Sequence, residues 1–166
     1  LADGALRDQI AGMDRGTDLE PLGIHDRKLP PRLLHRAADV GKLLEAGDRV
    51  GGVATLEQVA AELERLGDLE RALTIVDELI RLSPDSIRHH QKRVELAFRS
   101  SDRVKLIDAY LELGDALFRS GEERKARAVY QRVHELAPDD PRAQAAIESV
   151  SSMSPPAGSG AIQAIP

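Results

Sequence analysis

The sequence predicts an all-α chain, an antiparallel helical-hairpin solenoid of six to seven helices with irregular N- and C-terminal segments. Three observations lead there. Residues 47–86 lie over 101–140 without a gap and share ten of forty positions, where average composition gives roughly two or three. The apolar residues of the two copies recur at helical spacing, with Val50, Val53, Leu56, Val59, Ala60 and Leu63 opposite Val104, Ile107, Tyr110, Leu113, Gly114 and Leu117. Aromatics make up only 2% of the 166 residues and Trp is absent. Leu, Ala and Val therefore have to fill the core, which suits helices more than a β-sandwich.

Taken in order, residues 1–30 hold five Asp and four Gly with little periodicity, and read as an extended or flexible leader. The alternative is that Leu19, Leu22, Ile24 and Leu29 dock along the solenoid as a bound peptide would. A helical repeat domain is expected over 31–150, built from copies at ~33–86 and ~87–140 that are offset by 54 residues. In the first copy, helices are predicted at 32–46 (Leu33, Leu34, Ala37, Val40, Leu44), 49–66, and 69–82 (Ala72, Leu73, Val76, Leu79, Ile80). In the second they are predicted at 86–99, 102–119 and 122–136, followed by a terminal helix over ~141–150. The breaks have chemical causes. Gly47-Asp48, Gly67-Asp68 and Gly121-Glu122 place a glycine stop beside an acidic start. Ser86 and Asp140 suit N-caps, with Pro141 at a first helical position. Turns this short force antiparallel neighbours. Three helices per copy is an odd number for a two-layer solenoid, so the helices that line the concave face stay open. Residues 151–166, rich in Ser, Pro and Gly, read as a linker-like tail.

Residues 107–140 resemble a tetratricopeptide repeat (TPR), the 34-residue helix–turn–helix unit. The family's landmarks fall on Tyr110, Leu113-Gly114, Leu117, Ala126, Tyr130, Val133 and Pro138, with Val133 in place of the usual Ala. Residues 53–86 match more loosely through Leu56, Val59-Ala60, Leu63, Ala72, Val76, Leu79 and Pro84. The resemblance implies that the small residues Gly114 and Ala126 let two helices cross closely. On that register Gly114 lies near Ala126, so that Gly114→Leu overpacks the crossing while Gly114→Ala is mild.

The chemistry available to the chain is limited. Without cysteine, disulfides, thiolate nucleophiles and sulfur-ligated zinc are excluded together. A net charge of −5 argues against bulk binding to nucleic acid or anionic membranes. No apolar run approaches the ~20 residues of a membrane span. His89 and His90 are adjacent and point to different faces of a helix, so they cannot share one metal; solvated or capping roles are expected for the histidines. No nucleophile elbow or phosphate loop occurs, so no enzymatic activity, cofactor or metal is expected.

Two candidate binding surfaces remain. Arg88, Lys92 and Arg99 fall on one side of a helix within the basic stretch 88–105, either a solvated face or a docking patch for an acidic protein segment. Without exposed aromatics for base stacking, nucleic acid is disfavoured there. In relatives that bind acidic C-terminal peptides, the inner face of a repeat's first helix is basic. Here the resemblance puts Asp108, Leu111, Glu112, Asp115 and Phe118 on that face, which suits a basic or apolar peptide. The functional expectation is a cytoplasmic, non-catalytic protein-interaction or scaffolding module within a larger bacterial protein. The alternative is a fixed-stoichiometry assembly or regulatory subunit of an enzyme or membrane complex. Self-association through terminal helices is compatible with either.

Overall fold

A computed structural model describes residues 30–153; the expectations for the leader and for the Ser/Pro/Gly tail beyond Met153 lie outside the described residues. Seven helices follow in order among them: α1 (Pro31–Glu45), α2 (Arg49–Arg65), α3 (Leu69–Leu82), α4 (Ile87–Arg99), α5 (Arg103–Arg119), α6 (Glu123–Leu136) and α7 (Pro141–Met153). No strand occurs among the described residues. The all-α expectation holds. The chain divides between Glu78 and Leu79, late in α3, into two compact units.

Local chemistry sets the helix ends. Gly47, Gly67 and Gly121 follow α1, α2 and α5 with φ of +78°, +78° and +79°, the left-handed conformation in which a Cβ would meet the backbone. Ser101 follows α4 and adopts the same conformation, with φ of 58°. Asp48 accepts a hydrogen bond from the Gly51 N–H at 2.8 Å, and Asp102 accepts from Val104 and Lys105 at 3.0 and 3.1 Å. These bonds satisfy N–H groups that the first turn of a helix leaves unpaired. Asp140 caps α7 through the Arg142 N–H at 2.9 Å. Ser86 occupies the N-cap position of α4, but its side chain makes no capping bond.

In the first unit, α1 packs against α2. Leu33, Ala37 and Val40 face inward from α1, and Leu56, Val59, Ala60 and Leu63 from α2, spacings that put one stripe on one side of each helix. Val50 does not belong to that stripe: it is 82% exposed, and Val104, 54 residues later, is 69% exposed. Val50 precedes Leu56 by six residues, about 600° of helix turn, which places it about 120° away from the stripe.

In the second unit, α4 packs on α5, α5 on α6, and α6 on α7, with α7 also reaching α5. Its core gathers Ile107, Leu113, Leu117, Ala126, Tyr130, Val133, Ala143 and Val150. Every TPR landmark of residues 107–140 except the exposed Pro138 is buried or packed against this core. His89 and His90 are buried rather than solvated. His90 Nε2–H donates to the Pro84 carbonyl at 2.8 Å, tying the start of α4 back to the preceding turn.

Candidate functional site: a groove on the second unit

A groove of about 380 Å³ opens on the second unit. It is lined by Arg93 from α4, by Asp108, Leu111, Glu112 and Asp115 from α5, and by Arg142 and Ala146 from α7. The four α5 residues recur every three or four positions and share one helix face, so they line the groove as a strip. Since α5 and α7 both line it, helices two apart in the chain share this face, as a two-layer helical repeat requires. Of the five residues expected there, Phe118 is not among those lining the groove. It sits one turn further on and packs against the core of the unit.

The electrostatics differ from the acidic face that α5 alone suggests. Arg142 Nη1 lies 2.8 Å from Asp108 and its Nη2 lies 2.8 Å from Asp140. Side-chain hydrogen bonds to Asp140 and then to Asp108 hold the Arg142 guanidinium above its ordinary pKa. The Asp140 carboxyl is held below the usual carboxylate range, chiefly by the side-chain bond from Arg142. Arg93 Nη1 lies 3.2 Å from Glu112. The groove therefore presents three carboxylates and two guanidiniums in alternation, not the purely acidic and apolar face that α5 alone carries. Arg142 follows Asp108 by 34 residues, one repeat length, and that spacing was the available signal for the pair.

Asp115 is anchored from beneath. The Tyr130 side chain, 2% exposed, donates from its hydroxyl to Asp115 Oδ1 at 2.6 Å. Burial first, and then this bond and the Asp115 charge, push the Tyr130 phenol above its ordinary pKa. The unfolded phenol ionises near pH 10 while the folded one stays protonated, so this contribution to stability is complete below about pH 10 and is lost as pH rises beyond it. Tyr130→Phe is expected to lower stability by about 0.5–1.5 kcal/mol at neutral pH, and to lose less than the wild type on going to about pH 11. Urea denaturation at the two pH values checks both.

The basic residues of α4 do not form one open patch. Glu95 is shared by Lys92 at 3.1 Å and Arg99 at 3.8 Å, and Arg93 turns into the groove. Arg88, Lys92 and Arg99 are absent from the groove lining. No group of three or more potential ligands is placed to hold a metal among the described residues, and no helix among them is long and apolar enough to cross a membrane.

One family model agrees with this geometry. The family model of the tetratricopeptide repeat matches residues 107–147, from α5 through α6 into α7. No curated protein matches the chain. A solved structure titled "MamA RS-1 ArsTM double mutant" is similar at 15% identity, over 74% of this chain and 94% of that chain, with a TM-score of 0.28. With its landmarks buried between α5 and α6, the stretch 107–147 is a tetratricopeptide repeat within an all-α helical-repeat chain.

Proposed function

We propose that the chain is a non-catalytic protein-interaction or scaffolding module, part of a larger bacterial protein, that holds an extended peptide or partner surface in the groove of α4, α5 and α7. Tetratricopeptide repeats in general mediate protein–protein interaction. The observation that carries the reading is the lining of the groove: Asp108, Glu112 and Asp115 alternate with Arg142 and Arg93 around the apolar Leu111 and Ala146. A segment of mixed charge can exchange partners with the exposed Arg142–Asp108 pair and meet the exposed Glu112 carboxylate, while the Arg93 side chain is only 18% exposed. Exposed ion pairs are individually weak, so such an exchange costs little. Leu111 supplies apolar contact at the floor.

Affinity purification from the native host tests this. Glu112 is exposed, so Glu112→Lys is expected to change stability by no more than about 0.5 kcal/mol. Partner recovery is expected to fall at least about fivefold, because a like charge then faces Arg93 and the ligand's cations. Unchanged recovery overturns the groove as the binding surface. A scaffold captures exchangeable partners in varying amounts; one partner at a fixed ratio would favour the assembly-subunit reading.

A further inference from the structure

We propose that the turn between α4 and α5 carries a second docking site, distinct from the groove, for an acidic protein segment bearing one bulky apolar side chain. A cleft of about 430 Å³ lies there, with Phe98, Leu106, Arg99, Arg103, Ser101 and Asp102 among its lining residues.

The same turn 54 residues earlier provides an internal control. Between α1 and α2, the positions corresponding to Phe98, Arg99, Ser101 and Leu106 hold Leu44, Glu45, Gly47 and Gly52. Leu44 lies directly on Gly52: a Cβ on that glycine would stand 2.6 Å from Leu44 Cδ2. Closure there depends on the absence of a side chain. In the second turn a leucine replaces the glycine and a phenylalanine replaces the leucine, so the same closure is sterically forbidden. Phe98 is left 69% exposed, which corrects the expectation that the basic stretch 88–105 carries no exposed aromatic. Ser101 takes the left-handed conformation where the first turn has glycine. Non-glycine residues held in that region concentrate at ligand-binding positions.

The charge at the cleft selects the partner. The charged residues that line the cleft are two guanidiniums, Arg99 and Arg103, against one carboxylate, Asp102. The cleft is thus locally cationic in a chain whose net charge is −5. Asp102 is engaged as the cap of α5, and Glu95 already serves two cations. Arg103 donates to the Leu136 carbonyl, which holds its guanidinium at the cleft in one orientation. A carboxylate meets a planar, pre-oriented donor fork there. An apolar side chain between Phe98 and Leu106 supplies the buried anchor that a docking site needs.

Selection of a phage-displayed library of random dodecapeptides against the whole chain tests the proposal, with parallel selections against Phe98→Ser and Arg99→Glu. Both side chains are exposed, so both variants are expected to fold. Clones that depend on these two residues are expected to carry Asp or Glu flanking a Leu, Ile or Phe, and their synthetic peptides are expected to bind either variant about tenfold or more weakly. The same peptides are expected to bind Glu112→Lys as they bind the wild type, which separates this site from the groove. No clones dependent on Phe98 and Arg99, or dependent clones that are basic or uncharged, overturn it. So does sedimentation showing that the wild type self-associates through Phe98, since the occupant would then be a second copy of the chain.

Discussion

Gly114→Ala is expected to destabilise the second unit by about 0.5–3.5 kcal/mol, although it replaces a mid-helix glycine with the best helix former. The propensity gain is about 1 kcal/mol. Against it stands a steric conflict: an ideal Cβ on Gly114 would lie 2.3 Å from Tyr130 Cε1 and 2.8 Å from Cδ1 and Cζ. The ring cannot swing away freely, because it is buried in the core and its hydroxyl is bonded to Asp115. Overpacking of this kind costs about 1–3 kcal/mol, and displacing the ring adds the loss of its hydrogen bond, about 0.5–1.5 kcal/mol. The sequence reading, which set Gly114 against Ala126 and expected alanine to be mild, is corrected by this ring. Gly114→Leu is expected to prevent the unit from folding. Urea denaturation decides the matter: a Gly114→Ala variant at least as stable as wild type would mean that Tyr130 does not cover this glycine.

Leu63→Ala and Leu117→Ala are each expected to cost about 2–5 kcal/mol, the range for emptying a buried leucine site that collapses only partly. The two stand 54 residues apart, and both are buried. Their consequences are expected to separate in space. In a helical-repeat chain each element is held mainly by its neighbours, so Leu63→Ala loosens α1 and α2, whereas Leu117→Ala loosens α5 and α6. Amide hydrogen exchange, resolved by helix, distinguishes them. Equal loss of protection in all helices from either variant would show the chain to unfold as one cooperative block.

Most of the architecture was legible because glycine stops, acidic caps and apolar stripes are local signals. The predicted helix starts at Ser86, Asp102 and Glu122 are each one residue early. Each of these residues is the N-cap, so it precedes the first helical residue instead of opening the helix. Asp108, Leu111, Glu112 and Asp115 were placed on one surface because all four sit on one helix at fixed spacing. Arg93 and Arg142 were not, since their roles depend on how α4 and α7 lie against α5. Arg93 is about 100° around the helix from Lys92, which separates it from the basic side of α4. The 34-residue period would have paired Asp108 with Arg142, as it does Asp85 with Arg119 at 3.5 Å. His89 and His90 misled because an adjacent polar pair reads as surface, while burial at the start of α4 follows from the turn that His90 bonds.

The order of packing within the second unit also bears on how fast it forms. Helices that touch are consecutive in the chain, or two apart in the case of α5 and α7. Turns of three or four residues join α4 through α7, so little chain entropy is lost before a contact is gained. Domains built this way fold in microseconds to milliseconds, whereas chains that must first bring distant strands together take up to seconds. For this unit, a hairpin of α5 and α6 needs only the three residues from Ser120 to Glu122 to close, and α4 and α7 can then add from either side. A nascent chain could therefore acquire its tetratricopeptide hairpin as soon as residue 136 is free to move, before α7 exists.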